Sequence, residues 1–130
     1  MREIKLRAWD LKTKKMHTVE NINFCGRKTV TVQYNPVKKI CLDSAILMQY
    51  TGAEDKNGVE IYEGDVIRGH TGRYQVDCVV RWSSGNCGFI AEPTITDRTY
   101  LCLNPGSTKS YEVIGNIYEN PELVSNEANT

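Results

Sequence analysis

The sequence predicts a mainly β protein: short antiparallel strands forming barrel-like or sandwich-like lobes, with at most short helical turns. Three observations carry this. Apolar and polar residues alternate at period two in several short runs. Turn residues punctuate those runs at a spacing of ~8–12 residues, as in all-β domains. No stretch sustains the helical period of about 3.6 residues.

Taken in order, Ile4, Leu6 and Ala8 alternate with Lys5, Arg7 and Trp9, the pattern of a half-buried strand. Asp10–Lys15 is a polar turn, and Met16–Val19 resumes as a short strand. Thr29–Tyr34 is a strand with Val30, Val32 and Tyr34 on one face, stopped by Asn35-Pro36. Ser44–Tyr50 reads as a strand with Ile46, Met48 and Tyr50 together, or as a short helix, since the run is too brief to arbitrate. Asp55-Lys-Asn57-Gly58 has the form of a type I turn closed by a left-handed glycine. Glu63-Gly64 makes a second turn, and Asp65 opens the next strand.

The strongest alternation follows. Tyr74, Val76, Cys78, Val80 and Trp82 face one way, and Arg73, Gln75, Asp77, Val79 and Arg81 the other. Trp82 and Tyr74 are expected as core anchors of this strand. Ser83-Ser-Gly-Asn86 is a hairpin turn and Cys87–Ala91 the return strand. Tyr111, Val113 and Gly115 mark a last strand, and Asn120-Pro121-Glu-Leu123 a final turn with proline at its first helical position. Residues 1–125 are expected as one unit, with lobes over 1–50 and 60–125 and a frayed tail at 126–130. No repeat is visible along the chain.

At 130 residues the chain can bury a core without staples. The five cysteines are odd in number and none sit at Cys-x-x-Cys spacing, so they are expected as thiols, mostly buried. No apolar run approaches the ~18 residues of a membrane helix. The charged start, Met-Arg-Glu-Ile-Lys-Leu-Arg, cannot serve as a signal h-region. A cytoplasmic protein without membrane contact is expected. Net charge is zero but unevenly placed: residues 1–40 hold ten bases and three acids, +7, and residues 41–130 hold six bases and 13 acids, −7. Such sorting favours association, between copies in a homo-oligomer or with another protein.

No reaction centre emerges. Glu54, Asp55, Glu60, Glu63 and Asp65 invite a hard cation, and a metal-dependent hydrolase built on Glu63 and Asp65 is the enzymatic alternative. However, aligning Gly58 with the invariant glycine of a calcium loop puts Ala53 and Gly64 at ligand positions, so the acids read as solvated turn residues. His17 and His70 have no supporting spacing for zinc or nucleophilic chemistry. Lys12, Lys14, Lys15, Arg73 and Arg81 are candidate anion or nucleic-acid contacts, with Trp9 or tyrosines to stack bases, although zero net charge opposes strong non-specific binding. Phosphate loops and Gly-x-Ser-x-Gly are absent. No catalytic, metal or cofactor-binding residue is assigned, and no cofactor is expected.

Three segments carry a family likeness: Arg2–Asp10, Met48–Asp65 and Val113–Leu123. Together they resemble the YopX family, small proteins encoded by phages and prophages of low-GC Gram-positive bacteria. Leu6 stands where that family often has phenylalanine, and Ala53 where it often has an aliphatic residue; residues 20–45 and 92–110 match no pattern. The resemblance implies a mostly β fold, a phage or prophage origin and a homo-oligomer. It implies no activity. The shared residues read as structural: Trp9 and Tyr50 for packing, and Gly52, Gly58, Gly64 and Gly115 for backbone bends. Tyr62-Glu-Gly-Asp-Val is similar to the strand opening of SH3-like small barrels, a fold-level analogy.

Overall fold

The computed structural model describes residues 3–33, 37–71, 74–94 and 101–124, without the side chains of Thr71, Tyr74 and Leu101. Tyr34, Asn35-Pro36, Arg73, the Tyr74 side chain and the 126–130 tail lie outside what is described. The fold is mainly β, as expected, and divides into two compact units, Glu3–Gln49 and Tyr50 onward.

The first unit is a meander of β1 (Leu6–Asp10), β2 (Lys15–Asn23), β3 (Thr29–Val32) and β4 (Lys38–Cys41). A 3-10 turn, Leu42–Ser44, then leads into β5 (Ala45–Glu54), whose first half returns antiparallel to β1. The hydrogen-bonded order is β4-β3-β2-β1-β5. Lys38 on β4 nonetheless donates to Asp10 at the end of β1, Nζ to Oδ2, at 3.1 Å. Two strands separate them in that order, so the sheet curls until its ends approach. Inside the curl Ala8, Val30, Val32 and Ile40 form a core, flanked by Val19 and Leu47. The alternation in Thr-Val-Thr-Val is what lines β3's two valines up inward.

The second unit opens with a hairpin, the end of β5 against β6 (Glu60–Tyr62), around the Asp55–Gly58 turn. Then come β7 (Asp65–Thr71), β8 (Tyr74–Ser83), β9 (Gly88–Pro93) and β10 (Leu101–Cys102). A second 3-10 turn, Ser107–Ser110, precedes β11 (Glu112–Asn116), which pairs antiparallel with β7. The order is β10-β9-β8-β7-β11. Its own core gathers Ile61, Ile67, Cys78, Val80 and Ala91.

Both units therefore follow one plan: four strands in a meander, a 3-10 turn, and a fifth strand that pairs with the first. The likeness is one of topology alone, and no repeat is visible in the sequence. What recurs is hydrogen-bond order, which period-two alternation and turn placement specify with no shared residue identities.

Other expectations need adjustment. The ambiguous Ser44–Tyr50 run is strand, with Met48 and Tyr50 buried. β4 went unread because Lys-Lys-Ile-Cys holds one core residue, Ile40, behind two lysines. Trp82 is no core anchor: it is 51% exposed. It continues the core face of β8 past the end of the core, and meets Phe89 edge-to-face with ring centroids 5.1 Å apart. Of the cysteines only Cys78 is buried; Cys41 is half-buried, and Cys25, Cys87 and Cys102 are exposed. All five are thiols.

Candidate functional site

The acidic residues resolve first. Asp55 is buried, and its carboxylate is used up by backbone donors. Oδ1 accepts from the N–H of Asn57 at 2.8 Å and of Val59 at 2.9 Å, and Oδ2 from Val113 at 2.9 Å. Burial alone would raise its carboxyl; these three N–H groups and the Lys56 charge outweigh burial and hold it below the ordinary value. Buried Asp65 accepts from the Tyr62 N–H at 2.8 Å, fastening the turn that Gly64 makes with a φ of 86°, where a side chain would be strained. Glu54 is exposed at the rim beside Lys109. The sequence cluster is thus two buried turn fasteners, Asp55 and Asp65, with an exposed Glu54 and half-buried Glu60 and Glu63. Among the described residues no three His, Cys, Asp or Glu side chains converge to hold a metal ion.

The last turn is built the same way. Buried Asn116 accepts at Oδ1 from the N–H groups of Tyr118 and Glu119, at 3.0 and 2.8 Å, and Pro121 begins a 3-10 turn. A Cβ at Gly115 would lie 2.5 Å from Asn120 Oδ1 and 2.9 Å from Leu123 Cδ1, so those side chains would have to shift to admit one.

Histidine and cysteine offer no pair. His17 is buried on β2 opposite Ala8, and His70 is exposed on β7 opposite Gln75. Burial, and then the charge of Asp77, pushes the Cys78 thiol up to about 11, so it is not a nucleophile at neutral pH.

The basic candidates separate. Arg81 is tied to Glu92 across β8 and β9, Nε to Oε1 at 3.1 Å, both half exposed. It presents a neutralised pair to a ligand. Trp9 is 8% exposed and cannot stack a base. Lys12, Lys14 and Lys15, by contrast, all stand exposed at the β1–β2 turn. That turn is held by Asp10, which is buried. Its Oδ1 accepts the Lys12 N–H at 2.9 Å, and its backbone carbonyl accepts the Lys14 N–H at 2.8 Å. Lys14 takes a left-handed φ of 57° to do so. Burial would raise the Asp10 carboxyl, but the donors Lys12, Lys38 and Thr13 lower it to about 2.

Beside this turn lies a cleft of about 200 Å³. Asp10, Lys12 and Thr13 form one wall; Lys38, Lys39, Ile40 and Cys41 of β4 form the other, with Ser44 at its end. Sequence reading found the Lys12–Lys15 side but missed Lys38 and Lys39. Only the curl of the sheet brings them together, across 28 residues of chain between Asp10 and Lys38.

Fold and site define a class of protein: small and all-β, with two antiparallel units of one plan, buried carboxylates that fasten turns, and a lysine-lined cleft in the first unit. The chain belongs to the YopX protein family, whose model matches residues 5–125. Among solved structures it is similar to protein EF1440 from Enterococcus faecalis, at 24% identity and a TM-score of 0.65, covering 95% of this chain and 99% of that one. It is also similar to protein yopX from Bacillus subtilis, at 23% identity and a TM-score of 0.62, covering 92% and 95%. At these identities the likeness is one of fold. No curated protein matches the chain. Among the described residues no helix is long and apolar enough to cross a membrane.

Proposed function

We propose that this is a non-enzymatic accessory protein of a phage or prophage, acting in the cytoplasm of a bacterial host by binding an acidic surface of a host or phage protein. The observation that carries this reading is the sorting of charge by unit. Residues 1–49 hold ten bases and four acids, +6, and residues 50–130 hold six bases and 12 acids, −6. In the first unit Lys12, Lys14 and Lys15 are exposed together, whereas Arg68 and Arg81 in the second are neutralised by Asp77 and Glu92. A positive face of this kind steers and selects negatively charged partners. The same complementarity supports self-association of basic and acidic units from different copies.

Two measurements test the reading. Retention on an immobilised acidic peptide is expected at low salt and should fall as salt rises. Light scattering behind size exclusion should show a mass that rises with concentration and drops with salt. A monomer at every salt concentration that also ignores the acidic peptide would end the proposal.

A further inference from the structure

We infer that the cleft between the β1–β2 turn and β4 is the recognition pocket of the first unit, and that it seats a carboxylate-bearing side chain from an acidic segment of a partner protein. This rests on the binding role proposed above and names the place and chemistry of contact. The cleft has three properties that select such a ligand. Its volume, about 200 Å³, falls below the roughly 300–1,000 Å³ of small-molecule and cofactor sites. It therefore suits one or two side chains. Its lining carries Lys12, Lys38 and Lys39 against Asp10 alone, a local charge of +2. Asp10 also fixes Lys38 across the cleft, Oδ2 to Nζ at 3.1 Å, so that one ammonium is held before any ligand arrives. The remaining wall is Ile40 and Cys41, with the hydroxyl residues Thr13 and Ser44 at the edges, a surface that takes the methylenes of a glutamate beside its carboxylate.

The same features disfavour nucleic acid. The lining holds no aromatic ring on which a base could stack.

Cys41 supplies a local reporter, being a half-buried thiol in the wall of the cleft, whereas Cys25, Cys87 and Cys102 are exposed elsewhere. The experiment uses the full chain, a fluorescein-labelled hexaglutamate peptide, and an oligothymidylate of equal charge. Lys12→Glu with Lys39→Glu should weaken peptide binding about tenfold or more, while Arg27→Glu with Lys28→Glu, an equal change in charge on the exposed β2–β3 turn, should weaken it far less. Bound peptide should slow iodoacetamide modification of Cys41, followed by peptide mass mapping, and leave Cys25, Cys87 and Cys102 unchanged. Equal losses in both double variants, with Cys41 unprotected, would overturn the pocket while leaving a diffuse electrostatic role for the unit. Failure of the unaltered protein to bind the peptide would overturn the proposed function together with the pocket. Tighter binding of the oligothymidylate, with Cys41 protected, would overturn the choice of a protein ligand.

Discussion

The two units share a plan but fasten it with different chemistry. In the first, the curled sheet is tied by an ion pair: the Asp10 carboxylate faces the Lys38 ammonium, itself 36% exposed, at the edge of an open cleft. In the second, the tie is backbone to carboxylate. Asp55 takes three main-chain N–H groups, one of them on β11, and buried Thr108 donates to the Glu54 carbonyl at 2.7 Å. The Lys56 N–H adds a bond to the Tyr111 carbonyl at 2.9 Å. The first tie thus lies beside exposed lysines at an open cleft, whereas the second joins the β5–β6 hairpin to β11 and satisfies its groups with main-chain partners. Units of one strand order can therefore be fastened by unlike chemistry, an ion pair beside a cleft or main-chain donors on a buried carboxylate.

This contrast can be broken, starting with the largest effect. Asp55→Ala strands three N–H groups and should cost about 3 kcal/mol or more in urea denaturation. Asp55→Asn should cost roughly half as much, because its oxygen can keep two donors while its amide faces the Val113 N–H. Next, Gly69→Ala would place a Cβ 2.5 Å from the Tyr111 ring that lies over it, at an expected cost of about 1–3 kcal/mol. Combining it with Tyr111→Leu should recover part of that loss, giving a non-additive cycle.

The Asp10 tie makes a prediction in pH. Its folded carboxyl titrates at about 2 against an ordinary 3.8, so its contribution is present above the ordinary value and is lost as pH falls through about 2. The difference corresponds to about 2 kcal/mol, and Asp10→Asn should flatten that part of the stability profile. Finally, Arg81→Ala should change stability by less than about 1 kcal/mol, because its pair with Glu92 is half exposed and screened. A larger loss would mean that this pair does more than decorate the surface.

Local features were legible in the sequence and long-range ones were not. Thr29–Val32 and Tyr74–Ser83 declared themselves by alternation, and Gly58 and Gly64 by turn chemistry. Alternation assigns a face, however, and not how far the core extends along it. That is why Trp82 read as buried although it stands beyond the last packed neighbours. Asp55 read as a solvated turn residue because its third partner, Val113, is placed by strand pairing far along the chain. The cleft was half visible for the same reason: Lys12 announced itself in a run of lysines, whereas Lys39 joins it only through curvature.

The Asp55–Val113 bond has a kinetic consequence. Its partners lie 58 residues apart, so the hairpin turn cannot gain its third donor until most of the second unit has left the ribosome. Such a late, non-local contact raises contact order and slows the final consolidation step relative to hairpin formation. During synthesis the Asp55 carboxylate would hold only its two local donors, Asn57 and Val59, until β11 brings the third.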